Sequence, residues 1–304
     1  MADSPPQPQR AAGGSPKSST ASGAPDAVEL TAAQAWFIAD QIGAGEYPWS
    51  LAITQPFGSP LVADKIADEL RQELAALGVI GKDGEIDQRV ATWVRTVCAA
   101  RRCFEARTVR GGVPALDARS NQLRTLVAQQ DGLTVVAMRA GALVTFTQLG
   151  APHPRTLASV LTAGLPGAEP AKFRQFALPT SDGAKADERL RAGVSADAVL
   201  AGLGIPEEAS AALRAMFAGP RSYVEISFRS KPGSAENIGI GVLDTVAGRV
   251  LVAPSRAPDG QWVSTFSPGT AAAVAAALAA LAEETGLAQE PESAAWSPRD
   301  IRDR

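Results

Sequence analysis

The chain has 304 residues, with 29 Lys or Arg against 32 Asp or Glu and a formal net charge of −3. That balance offers no basic field for a phosphate backbone, so nucleic-acid binding is not expected. One His and two Cys exclude a Cys/His zinc site and a disulfide framework, and such sparing cysteine use reads as cytoplasmic.

Residues 1–25 hold five Pro, five Ser and three Gly, and residues 1–27 no Leu, Ile, Val or Phe. This composition cannot bury enough apolar surface to order itself and contains no signal-peptide core, so 1–27 reads as a disordered tail. Order begins near Val28. Thr31 with Gln34 three residues on is a capping box, and the helix it starts stops at Gly43-Ala44-Gly45. Tyr47–Ile53 reads as a strand, with Pro48 near its start or on an edge. Leu61–Leu77 reads as a helix with Ile66, Leu70, Leu74 and Leu77 on one face, and Gly81–Gly84 as a turn. Val90, Trp93, Val94 and Val97 form a second helical stripe that ends near Cys98. Cys98 and Cys103 are then free thiols at a helix end and a strand start.

Four strands follow, at Cys103–Arg110, Gln122–Gln130, Thr134–Arg139 and Leu143–Gln148, with Asp131-Gly132 and Ala140-Gly141 as hairpin turns. Pro154–Ala163 is a short helix. His153, flanked by Pro152 and Pro154, is a surface residue at its start. A crossing with Pro166, Pro170 and Pro179 leads to short helices from Lys185 to Ala218, broken at Gly193, Gly202 and Gly204. Strands return at Tyr223–Arg229, Ile238–Asp244, Arg249–Pro254 and Trp262–Ser267, before a closing helix at Thr270–Glu284. The apolar run Ala271–Ala282 is too short to span a bilayer, so no membrane insertion is expected. From Gly286 the chain is again Glu/Pro/Ser/Arg-rich, a flexible charged tail over 286–304.

The two halves, about 28–165 and 166–285, follow one plan: helix, Arg-rich junction, strand, long loop, three hairpin-connected strands, helix. Phe104-Glu105 corresponds to Val224-Glu225, and Thr145-Phe146 to Thr265-Phe266, each pair 120 residues apart. The fold class is α+β, two β-meander-plus-helix halves about a pseudo-twofold axis.

Chemistry is sparse. A triad could use only His153, and no positioned nucleophile accompanies it, so no catalytic, cofactor or metal residue is expected. Gly239-Ile-Gly241 lies inside a strand and no helix follows, so it is not a dinucleotide loop. Asp244 reads as the acceptor of an Asx turn, and Arg221 as a helix C-terminal cap. The loop Gly111–Ser120 is long for a hairpin and carries Val113, Pro114 and Leu116. Its counterpart is Ser230–Asn237. Loops of this kind are functional or tolerated insertions, and composition does not choose between the two.

Several stretches together resemble the EspG family, cytosolic chaperones of mycobacterial type VII (ESX) secretion. They include Ala27–Thr31, Ala35–Ile38, Pro48–Ile53, Gly219–Ile226, Pro254-Ser-Arg256 and, most distinctively, Asp259–Gly269. The likeness spans about residues 27–285 and is strongest to the paralogue of the ESX system tied to iron and zinc acquisition. It implies a central antiparallel sheet with two helical bundles and no catalysis. It also implies binding of a cognate PE–PPE heterodimer at the apolar tip of the PPE subunit, solubilising it and directing it to its own ESX system, with the membrane machinery of that system as a further partner. The cargo surface it implies includes Val109, Gly111, Gly112, Val113, Pro114, Leu116, Arg229, Asn237, Leu213 and Phe217, with apolar anchors at its centre. The alternative is a non-catalytic scaffold that self-associates through its sheet edges.

Overall fold

The computed structural model describes residues 26–58, 62–111, 122–150, 152–230 and 238–283. Most of the expected N-terminal tail, the whole of the expected C-terminal tail and most of the loops Gly111–Ser120 and Ser230–Asn237 lie outside them. Ten strands form one sheet: β1 (Ala27–Thr31), β2 (Arg102–Val109), β3 (Gln122–Gln130), β4 (Leu133–Ala140), β5 (Leu143–Leu149), β6 (Phe176–Pro179), β7 (Ser222–Arg229), β8 (Gly239–Thr245), β9 (Gly248–Arg256) and β10 (Trp262–Pro268). The helices are α1 (Ala32–Gln41), α2 (Ala63–Ala76), α3 (Gln88–Cys98), α4 (Pro154–Thr162), α5 (Thr180–Arg191), α6 (Ala196–Ala201), α7 (Ser210–Ala218) and α8 (Ala271–Ala282).

The strand order is β1-β5-β4-β3-β2-β7-β8-β9-β10-β6, and neighbours are antiparallel. Each half is a four-strand meander with a short edge strand added from upstream. Within the sheet the halves join at the β2–β7 ladder, which runs from Cys103↔Arg229 to Val109↔Tyr223. Its middle pair, Ala106↔Ile226, marks the pseudo-twofold axis that the spacing of 120 residues predicts. The edges are blunted against self-pairing, because β1 and β6 have five and four residues and β6 ends in Pro179.

Alternation along the strands divides the core. Phe104, Ala106, Val224, Ile226, Phe228 and Val242 point to one face, where the packed pair α4 and α8 covers them. On the other face Cys103, Leu126, Ala128, Val135, Ala137 and Phe146 pack under α1, α2 and α3. On that same face, at the far flank, Val250, Phe266 and Leu178 pack with residues of α6 and α7.

The local signals in the sequence form as expected at α1. Thr31 Oγ1 accepts the Gln34 N–H at 3.1 Å, and Gln34 Oε1 accepts the Thr31 N–H at 2.8 Å. Gln34 Nε2 reaches on to Glu73 of α2 at 2.8 Å, so the cap also ties two helices. Thr31→Ala is expected to cost about 1 kcal/mol in urea unfolding; no measurable loss would remove the cap from the account of α1. Asp131-Gly132 and Gly141 take positive φ in their hairpin turns.

Other segments differ from expectation. Tyr47–Ile53 is not a strand but a 3₁₀ turn over Trp49–Leu51, closed by Ala52 at φ 50°. Its carbonyls go to arginines rather than to a neighbouring strand. Arg124 donates to Ser50 O at 3.0 Å, and Arg139 donates to Leu51 O at 3.0 Å and to Ala52 O. Burial and the adjacent Arg124 lower the Arg139 pKa, though its guanidinium remains charged at neutral pH. Leu77 is off the helix face and exposed. α5 begins at Thr180, before the expected Lys185, and β1 and β6 are strands that the pattern does not announce.

Asp244 is no Asx-turn acceptor; Thr245 Oγ1 takes the turn amide, from Ala247, at 3.1 Å. Asp244 instead holds Arg249 through two hydrogen bonds, at 2.6 and 2.9 Å, and accepts the Gly167 and Ala168 N–H groups at 2.9 and 3.1 Å. The Arg249 backbone bonds Glu169, Ala171 and Gly269. The link between the two halves is thereby stapled to β8 and β9.

Candidate functional site

The two helical groups on the second face leave the middle of the sheet bare. The result is a groove of about 500 Å³ over β2, β7 and β8, lined by Ser50, Glu105, Arg107, Arg124, Glu225, Ser227, Gly239 and Gly241. Two features of the sequence make it. β2 places Glu105 and Arg107, and β7 places Glu225 and Ser227, on the face opposite their buried neighbours. β8 places Gly239 and Gly241 there, so that strand contributes backbone and no bulk. A Cβ at Gly241 would meet only Leu243, at an ordinary 3.7 Å, so nothing in the fold itself requires this glycine.

The lining mixes charged side chains with Ala106, Ile226 and Ile240. Cross-strand register aligns Glu225, Arg107, Arg124 and Arg139 in one row from β7 to β4. In the next row Ser227 pairs with Glu105. Arg229 closes one end, donating to Glu105 at 3.0 Å and to Cys103 Sγ at 3.2 Å. Burial pushes the Cys103 thiol up to about 12, against the pull of Arg229, so it stays protonated and unreactive at neutral pH. Beside the groove, Trp49 is 85% exposed on the 3₁₀ turn, while its neighbour Ser50 reaches the groove wall.

The sequence-derived candidates do not converge on one spot. Val109 and Gly111 lie at the end of β2 that faces the start of β7. The Gly111 N–H donates to Ser222 Oγ at 3.1 Å, and any side chain there would collide with the Arg221 carbonyl. Arg221 caps α7 as expected, donating to the Met216 and Phe217 carbonyls, so half-buried Phe217 belongs to this same end. Leu213 does not: it is 0% exposed, a core residue of the second bundle, because the inner face of α7 must pack on β8–β10. Arg229 stands at the opposite end of the ladder, six residue steps or roughly 20 Å away. Gly112, Val113, Pro114, Leu116 and Asn237 lie outside the described residues. His153 caps α4, its Nδ1 accepting the Arg155 N–H at 3.2 Å.

The groove residues went unnoticed in the sequence, yet they leave a signal. Strands at the centre of a ten-stranded sheet should be apolar on both faces if both are covered. β2 and β7 alternate with charge instead, which marks one uncovered face.

Among the described residues no helix is long and apolar enough to cross a membrane, and no cluster of three or more His, Cys, Asp or Glu could hold a metal ion.

Comparison with known proteins places this architecture. The EspG family profile matches residues 31–280. The ESX-3 secretion-associated protein EspG3 of Mycobacterium tuberculosis (strain CDC 1551) is 45% identical over 269 residues, 84% of this chain and 90% of the relative. EspG3 of Mycolicibacterium smegmatis is 43% identical, covering 84% of this chain and 85% of the relative. The ESX-1 secretion-associated EspG1 of that organism is only 29% identical, over 84% of this chain and 86% of the relative. The M. tuberculosis type VII chaperone EspG5, solved in complex with a PE25–PPE41 dimer, superposes with a TM-score of 0.69 at 18% identity. The match covers 88% of this chain and 98% of that one. The chain therefore belongs to the EspG family and, within it, is more similar to these ESX-3-associated members than to the ESX-1 member.

Proposed function

We propose that the chain is a cytoplasmic type VII secretion chaperone that binds a PE–PPE heterodimer in the groove at the sheet centre. The observation that carries this is the concave middle of the sheet, left uncovered on the face where the two helical groups pack at either flank. Support comes from EspG5, whose fold this is and which was solved with a PE–PPE dimer. The groove takes the helical tip of the PPE subunit, and the bundles flank it. Covering that tip keeps the dimer soluble, since exposed apolar helix ends aggregate. The cognate ESX system is then selected by the groove's polar floor, because charge pairing rejects mismatched partners more strongly than apolar contact does. Gly111 and Phe217 border one end of this surface, and Arg229 the other.

Calorimetric titration with a co-expressed PE–PPE dimer of the ESX-3 set tests the reading. Arg107 is exposed, so Arg107→Glu should leave the melting temperature unchanged. It should weaken binding at least tenfold, about 1.4 kcal/mol. Unchanged affinity would take the site off the groove, and absence of binding by the wild type would overturn the proposed function. The scaffold alternative is disfavoured by the short edge strands, one of which ends in proline.

A further inference from the structure

A second concavity lies outside the groove, between the end of α1 and the 3₁₀ turn. It has a volume of about 720 Å³ and is lined by Trp36, Tyr47 and Trp49, by Asp40 and Glu46, and by the stretch from Ala52 to Gln55. Its charged lining residues are both acidic. Trp36 is braced edge-on by Phe57 at 5.4 Å, and the Tyr47 hydroxyl is anchored to the Ala35 carbonyl at 2.9 Å, so two of the three rings are held in place. The third ring, Trp49, stands 85% exposed on the rim. A rigid aromatic cleft with acids at its mouth matches one ligand chemistry, an extended proline-rich segment that bears an arginine. Such segments lose little entropy on docking, their prolines lie against aromatic rings, and the arginine pairs with carboxylates.

The chain itself contains that chemistry. Pro5-Pro6-Gln7-Pro8-Gln9-Arg10 places Pro5 and Pro8 three residues apart, one turn of a polyproline helix, with Arg10 just beyond. Residues 1–25 carry Arg10 and Lys17 against the single acid Asp3, so their charge complements the cleft. Arg10 is sixteen residues before Asp26, a reach of up to roughly 50 Å, against roughly 17 Å for the whole of β1. We propose that the Trp36–Tyr47–Trp49 cleft docks the chain's own Pro5–Arg10 segment, which covers Trp49 and thereby occupies a surface beside the cargo groove. This docking is independent of whether the groove binds PE–PPE dimers.

The test uses the full chain and perturbs the segment while reading the cleft. Pro5, Pro8 and Arg10 are replaced together by Ala, and the Trp49 indole N–H resonance is identified by Trp49→Phe. The triple substitution should move the Trp49 indole and Glu46 amide resonances while that of core Trp93 stays still. In the reverse direction, Trp49→Ala should let trypsin cleave after Arg10 about threefold faster, since cleavage follows the undocked population. Trp49 is so exposed that the melting temperature should hold in that variant. Both changes are required, and the lack of either overturns the proposal. Cleft resonances that respond only to added PE–PPE dimer would assign the cleft to cargo and overturn it too. Affinity for the dimer, measured alongside, reports on the groove alone.

Discussion

Asp244→Ala is expected to lower the unfolding free energy by about 3–5 kcal/mol, the cost of stripping one partner from a buried ion pair. The side chains of Asp244 and Arg249 are 4% and 16% exposed, so the arginine left behind keeps little contact with water. Two amides, of Gly167 and Ala168, lose their acceptor in the same step. Urea unfolding at neutral pH measures the loss, and a change below about 1 kcal/mol would reduce the staple to a surface contact. The effect depends on pH with a defined sign. Burial alone would raise the Asp244 pKa, but hydrogen bonds from Arg249, Ala168 and Gly167 outweigh it and hold the carboxyl below its ordinary 3.8. The stabilisation is therefore complete above that ordinary value and disappears as pH falls through the depressed one. Wild type and variant should converge in acid.

Gly241→Leu is expected to weaken binding of a PE–PPE dimer at least tenfold, about 1.4 kcal/mol, with folding intact. The position tolerates a Cβ, and its φ is not in the left-handed region. A leucine there fills groove volume instead of straining the strand. Gly239 is a poorer choice, because its Cβ would press on the Ile226 carbonyl at 3.0 Å. Calorimetric titration with the same dimer decides it. Full affinity in a folded Gly241→Leu chain would show that the cargo does not enter between the bundles.

The hairpins, the capping box and the helical stripes were legible because each is a local signal: a Gly at a turn, a Thr three residues before a Gln, Val spaced by a helical turn. The edge strands were not. β1 runs straight into the cap of α1, and β6 is four residues ending in proline, too short for alternation to register. The 3₁₀ turn at Trp49 was misread because Trp49, Leu51 and Ile53 alternate like a strand, whereas the partners of its carbonyls, Arg124 and Arg139, lie more than seventy residues away. The groove is subtractive. It exists where no helix sits, and only the charged alternation of β2 and β7, with the glycines of β8, records it. Leu213 was misassigned because an apolar residue on a short helix can face a partner or a core, and only packing distinguishes them.

A partner lying in the groove across the pseudo-twofold axis meets the same backbone lattice in either of two opposite orientations, so main-chain geometry gives it no polarity. Glu105 and Glu225 occupy equivalent positions beside the axial pair Ala106↔Ile226 and cannot tell one end from the other. The equivalents Arg107 and Ser227 can. Arg107 and Arg124 pair on one side where their equivalents, Ser227 and Gly239, pair on the other, so the cations act as a compass: they separate two docking orientations that a perfectly duplicated protein would leave degenerate.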